Sequence, residues 1–437
     1  MAEMAPPERN RYVDFLRAFS ILAVVIGHWL VAAPYIDSDG AVQGGHLLGI
    51  LPWSQWLTWG FQVMPIFFLV GGFSNGMSWA ATQKKRGNYS DWFASRVQRL
   101  INPVFPVLLV WGVIAFFGTV MGVERSIVRM ATELALIPVW FLAVYLLVTA
   151  LAPFTHRLWQ RFGLASFFAL VAGAIAIDLL TFVGGVPYIN FLNFGFVWLA
   201  VHQLGYAWRD GHFDTTGKAL LWFATGLLAL AVLVGFGPYP VAMIGVPGAE
   251  ITNSMPPTLA LLALGVMQTG LALALQNPAR RMLDKMSIWT GVVLMNGMIM
   301  TVYLWHLTAF VLVMIAAWMM GGVGLEVVPG TAAWWLARPV WFALYIVMLL
   351  PLIMIFARWE SGYSIFGPTA EREAPVPHWR LVLGALLICT GLAMTAAITI
   401  ASPEGVTGVR LWVVALPFVG AALVGFGPVR RIYTKAG

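Results

Sequence analysis

The sequence predicts an all-α integral membrane protein with about twelve transmembrane helices and both termini in the cytoplasm. Three observations carry this. Of the 437 residues, 60% are hydrophobic and only 10% charged, a balance outside that of soluble domains. Apolar stretches long enough to span a bilayer recur along the whole chain. The Lys and Arg residues gather in alternate connections, twenty on one side and four on the other, with Arg17 left inside the first span.

The spans fall near 13–33, 56–81, 103–123, 138–154, 164–183, 190–208, 218–237, 256–275, 298–320, 336–356, 380–400 and 410–427. Arg9 and Arg11 precede the first. That start has the outline of a signal peptide, but the run is too long for an h-region and holds Arg17 and His28, so an uncleaved first helix is expected. The second connection is the densest in charge, with Lys84, Lys85, Arg86, Arg96 and Arg99. The run from Ser287 to Met320 exceeds one span, so its first part, through Asn296-Gly297, is expected to be an interfacial or broken helix. The net charge of +7 is thus a topological signature and gives no reason to invoke a nucleic-acid partner. The single cysteine, Cys389, rules out an intrachain disulfide and a cysteine-based metal site. No internal repeat, P-loop, GxSxG elbow or HExxH motif stands out, and no metal is expected.

The chain is organised around Asp14-Phe-Leu-Arg17 and His28 in the first span. Arg17 and His28 are eleven residues apart, about 20° beyond three full turns, so they share a face with Ile21 and Val24. Asp14 lies one turn before Arg17, within reach of an ion pair. Ionisable groups at such depth are costly unless they face protein or water, and they mark function. A cation near the cytosol and an imidazole at depth suit a substrate lying lengthwise between them, with His28 as general base towards a hydroxyl. Asp178, at about the depth of His28 in the fifth span, could orient or charge-stabilise that imidazole. Arg96 and Arg99 share a helical face leading into Pro103 and could hold phosphates at the membrane mouth. His202-Gln203 and His306 are further buried polar groups for which inter-helix contacts are the plain reading; His306, towards the cytoplasmic half, is better placed for donor binding than for proton abstraction. Phe67-Phe68-Leu-Val-Gly71-Gly72-Phe73-Ser74-Asn75 reads first as close helix packing.

These pieces, in this order, resemble the acyltransferase family 3 membrane proteins across most of residues 10–360. Arg17, ten residues, then His28 is similar to the family's Arg-x10-His pattern. Phe67 to Phe73 resembles its FF-x-x-G stretch, Arg96-Val-Gln-Arg99 its R-x-x-R, Val139-Trp140-Phe141-Leu142 its tryptophan motif, and Tyr303-Leu304-Trp305-His306 its YLxH ending. The resemblance implies a ten-helix core over residues 1–360, with residues 380–437 as a two-helix appendage. It also implies transfer of an acyl group, commonly acetyl, from acetyl-coenzyme A or another acyl-coenzyme A to a hydroxyl of a sugar, polysaccharide or glycolipid at the extracytoplasmic face of the cell membrane. Arg17, Arg96, Arg99, Trp140, Tyr303 and His306 would then serve the donor, and His28, with Asp14 and Asp178, the chemistry. Whether His28 acts as base or accepts the acyl group itself is left open, as are the acceptor and any homo-oligomer. The alternatives are a proton-coupled transporter or a flippase, and a non-enzymatic scaffold. Against a carrier, the halves show no repeat, and Gly87-x-x-x-Asp91 lacks the basic and glycine positions that should follow it; a scaffold gives no reason for the Arg17–His28 stripe.

Overall fold

The computed structural model describes residues 10–360, 376–402, 404 and 407–425. Five of the cations used for topology, Arg9, Arg372, Arg430, Arg431 and Lys435, lie outside them, as does part of the C-terminal appendage. The described residues are mostly helical. Helix α1 (Arg11–Val31) starts where the Asn10 side chain accepts the Tyr12 and Val13 amides, a cap that replaces missing intrahelical partners. A two-stranded ribbon (β1 Tyr35–Ile36, β2 Val42–Gln43), the short helices α2 (Leu47–Ile50) and α3 (Thr58–Phe61), and a 3-10 helix between them (Pro52–Leu57) lead to α4 (Met64–Lys84). There follow α5 (Tyr89–Ile101), α6 (Val104–Val120), α7 (Arg125–Leu136), α8 (Val139–Phe162), α9 (Leu164–Phe182), α10 (Asn193–Arg209), α11 (Thr216–Phe236), α12 (Leu259–Ala274) and α13 (Gln276–Leu283). The chain closes with α14 (Met286–Gly297), α15 (Ile299–Met319), α16 (Ala332–Phe356), α17 (His378–Ile398) and α18 (Leu411–Val424).

Among the described residues, nine helices or continuous helical runs are long and apolar enough to cross a membrane, or ten if the bent pair α12–α13 is one span. Each of the twelve expected apolar stretches carries a helix, but two of these helices, α10 and α18, are not among those ten. Helix α10 has 17 residues, and α18 has 14. The expected break after Asn296-Gly297 occurs at Met298, between α14 and α15.

The fold divides into two compact units. The first comprises residues 10–81, 151–296 and 326–335. Within it α11 and α12 pack along their lengths, α9 packs on α10 and α12, and α1 meets α13. The second comprises residues 82–150, 297–325 and the chain from 336 onward. There α17 and α18 pair and lie against α5, α6 and α7, and α15 packs on α6 and α7.

Candidate functional site

In the first unit, α1 sorts its side chains by angle. Phe19, Leu22 and Ile26 are 46%, 44% and 40% exposed, forming a stripe that can face lipid. Arg17, Ile21, Val24 and His28 occupy the opposite stripe, where Ile21 and Val24 are buried. The polar pair is therefore turned towards protein, as the energetics of an apolar solvent demand. Arg17 Nη1 lies 3.3 Å from Asp14 Oδ1, and its Nη2 donates to Ser74 Oγ on α4 at 3.3 Å. The Asp14 side chain is 8% exposed and that of Arg17 30%, so the carboxylate is enclosed while part of the Arg17 side chain stays open. Asn296 Nδ2 donates to the Asp14 carbonyl at 2.9 Å, tying α14 to this turn.

The partner that orients Ser74 is a close crossing of α4 and α10. Phe68 stacks on Trp198 with centroids 4.3 Å apart, and Phe73 lies 4.6 Å from Trp208. Between them, Gly72 and Gly205 bring the backbones together, and a Cβ on Gly72 would overlap the His202 carbonyl oxygen. This is what small residues do at membrane helix interfaces. One residue beyond Ser74, Asn75 Nδ2 meets His202 Nε2 at 3.2 Å, with both residues buried. At the same end of α10, Arg209 sits over Gly76, its Nη1 2.8 Å from His156 Nε2 and its Nε 2.7 Å from Asp210 Oδ1. Burial works to raise the Asp210 carboxyl, but the Arg209 and Trp159 hydrogen bonds outweigh it and leave it below its ordinary value.

Asp178 is engaged by three donors from distant parts of the chain. Asn193 Nδ2 donates to Oδ1 at 2.7 Å, and the Tyr239 hydroxyl and the Leu259 amide both donate to Oδ2 at 2.8 Å. One carboxylate thus joins α9, the start of α10, the 237–258 connection and the first turn of α12. Burial and then the neighbouring Asp178 charge push the Tyr239 hydroxyl up, keeping it a donor.

The second unit holds the other candidates. Arg96 is half-buried with its guanidinium 5.9 Å from the Trp92 ring, while Arg99 is exposed. Trp140 meets Phe141 edge-on at 6.3 Å, and Phe141 meets Tyr303 at 5.9 Å. The Tyr303 hydroxyl donates to the Pro138 carbonyl at 2.8 Å, so Tyr303 anchors α15 to the turn that begins the tryptophan motif. His306 is fully buried, with Nδ1 2.6 Å from the Tyr303 carbonyl. A carbonyl only accepts, so Nδ1 carries the proton and Nε2 keeps its lone pair in the neutral ring. Glu360 was not visible as a site residue from sequence. Its carboxylate accepts the Met300 and Thr301 amides and the Thr301 hydroxyl, each at 2.9 Å, capping the helix that carries Tyr303 and His306. Burial raises its carboxyl, offset in part by those bonds and by the Arg99 charge. Among the described residues, no group of three or more His, Cys, Asp or Glu side chains is placed to hold a metal ion.

A helical chain with many apolar spans, one of which turns an Arg–His stripe towards protein, defines a multi-pass membrane protein. Residues 10–358 match the acyltransferase domain of acyltransferase family 3, and the chain belongs to that family. It is a membrane acyltransferase, and the family implies an acyl donor. The match ends before α17. No curated protein and no solved structure matches the chain.

Proposed function

We propose that the protein transfers an acyl group, most simply acetyl, from cytosolic acyl-coenzyme A to a hydroxyl of a sugar, polysaccharide or glycolipid at the extracytoplasmic face of the cell membrane, with both its termini in the cytoplasm. The observation that carries this reading is the inward stripe of α1, with Arg17 fixed by Asp14 and Ser74 at one end and His28 about 16 Å along the axis at the other, eleven residues at ~1.5 Å each. That separation suits a pantetheine arm whose phosphates rest on the open part of Arg17. His28 removes the proton of the acceptor hydroxyl as its oxygen attacks the thioester carbonyl. Collapse of the adduct breaks the C–S bond, and the imidazolium returns the proton to the leaving thiolate. In the variant route His28 first takes the acyl group itself. Asp14 serves by holding Arg17. Asp178 enters the proposal through the connection it organises, since its oxygens already accept three hydrogen bonds. In the second unit Arg96 and Arg99 are proposed for donor phosphates, and Trp140, Tyr303 and His306 for the donor arm.

The test uses purified protein in nanodiscs with radiolabelled acetyl-coenzyme A and an envelope glycolipid extract. Label should appear in glycolipid with wild type and not with His28→Ala, while donor binding persists in both. Full transfer by His28→Ala would remove the base assignment. Absence of both transfer and donor binding in wild type would remove coenzyme A from the reading.

A further inference from the structure

Tryptophan recurs at every third position in Pro52-Trp53-Ser-Gln-Trp56-Leu-Thr-Trp59. In an α-helix that spacing would drift around the axis. Residues Pro52–Leu57 instead form a 3-10 helix, in which i and i+3 eclipse. Trp53 and Trp56 therefore rise from one edge, about 6 Å apart along the axis at ~2.0 Å per residue. Each is 55% exposed. Trp335 lies beside Trp53 with centroids 6.2 Å apart, and Trp59 beside Trp56 at 5.1 Å.

The row has a rigid backing, all of it in the first unit. Trp59 Nε1 donates to the Val241 carbonyl at 2.9 Å, Gln62 Nε2 to the Met243 carbonyl at 3.3 Å, and the Met243 amide to Thr58 Oγ1 at 2.9 Å. At the other end Trp335 packs on the buried cluster of Ala33, Leu47 and Trp334. The row also leads towards the catalytic stripe. Phe61 lies 3.8 Å from the position of a Cβ on Gly27, the residue before His28.

We propose that Trp53, Trp56 and Trp335 form a stacking platform for a pyranose ring of a carbohydrate. The proposal rests on the acceptor class assigned above and names where that acceptor is held. A pyranose presents a flat, ring-sized C–H face that an indole covers while the sugar hydroxyls stay in water, so a fixed row of exposed rings suits it. Trp59, which backs Trp56, gives its N–H to the Val241 carbonyl, so the segment carrying Trp53 and Trp56 is tied to the 241–243 backbone and the exposed rings are held in place.

The experiment uses the full-length protein in nanodiscs on an array of pyranose oligosaccharides, with no acyl donor, so that its outcome does not depend on acyl transfer. Wild type should retain a subset of the oligosaccharides, Trp53→Ala/Trp56→Ala should weaken that binding by on the order of tenfold or more, and Trp53→Phe/Trp56→Phe should keep most of it. No binding by wild type, or equal binding by the alanine pair, would overturn the platform. In a second arm a nitroxide is attached at Trp56→Cys in a Cys389→Ser background. Greater collision with oxygen than with an aqueous nickel chelate would place the row in the acyl region as a membrane anchor and also overturn it. Oligosaccharide binding without acyl transfer would keep the platform and remove the catalytic reading. Transfer to a glycan with an unchanged acceptor KM in the alanine pair would do the reverse.

Discussion

The crossing of α4 and α10 gives the sharpest stability prediction. A methyl on Gly72 would overlap the carbonyl group of His202, and it would also crowd the Gly205 Cα. Both obstacles are backbone, so no side-chain rotation relieves the clash and the helices must part. Overpacking of a tight core costs roughly 1–3 kcal/mol. Parting also stretches the 3.2 Å Asn75–His202 contact, and a buried polar pair left unmade costs roughly 1–3 kcal/mol more. The expected loss for Gly72→Ala is therefore about 2–6 kcal/mol, a large share of an ordinary folding free energy of roughly 5–15 kcal/mol. Ser74 precedes Asn75 and holds Arg17, so donor affinity should fall with stability. The assay is thermal unfolding in detergent followed by size-exclusion chromatography, with Gly112→Ala as control because a Cβ there meets nothing within 4 Å. Gly72→Ala should melt roughly 2–7 °C below wild type, and the control at or slightly above it. A Gly72→Ala protein that melts with wild type would show that the crossing is looser than described and sink the argument.

Three further outcomes follow from single contacts. Arg17→Ala leaves the Asp14 carboxylate, 8% exposed, without this ion pair, so it should lower the melt somewhat but less than Asp178→Ala does, and should weaken acetyl-coenzyme A binding by roughly tenfold in a direct titration; unchanged affinity would make Arg17 structural. Asp178→Ala strands the Asn193 amide, the Tyr239 hydroxyl and the Leu259 N–H, at roughly 1–3 kcal/mol for each buried donor, and should lower the melt more than Asp178→Asn, which keeps one acceptor oxygen. Glu360→Gln removes the charge that caps α15 and should cost about 1–3 kcal/mol, with faster amide exchange at Met300 and Thr301 as the local readout.

What the sequence made legible depended on how far apart the cooperating residues lie. The Arg17–His28 stripe could be read from helical period alone because both ends sit on one helix, and the exposure of Phe19, Leu22 and Ile26 on the other side follows from the same angle. The spans were legible because hydropathy sums over many residues. Where a helix stops was not, since that is decided by local backbone, as in the 17 residues of α10 and the 14 of α18. Gly72 and Asn75 stood out as small and polar residues suited to packing, but nothing local pairs Gly72 with Gly205 or Asn75 with His202, more than a hundred residues on. Asp178 drew attention as an acid at the depth of His28, while its donors come from the start of the next helix and from 61 and 81 residues away. Glu360 carried no signal, because a carboxylate just after an apolar helix reads as a membrane-edge charge until the N-terminus it caps, sixty residues earlier, is beside it.

The polar groups of the first unit also divide by how closely they are bonded. Asp178 accepts from three donors, and Arg209 is held between His156 and Asp210, with Gly76 beneath it. Groups tied by bonds this short, at 2.7–2.8 Å, fix helices, and altering them should act on folding first. Arg17 differs, since its hydrogen bonds to Asp14 and Ser74 are long, at 3.3 Å each, and nearly a third of its side chain stays open. A guanidinium placed at a helix interior and left partly unmatched has binding capacity to spare for an anion. The expected contrast is therefore between variants of Asp178, which lose stability and activity together, and variants of Arg17, which lose donor affinity while the fold persists. Equal loss of stability in both would make Arg17 one more structural tie and would leave the donor to be held elsewhere.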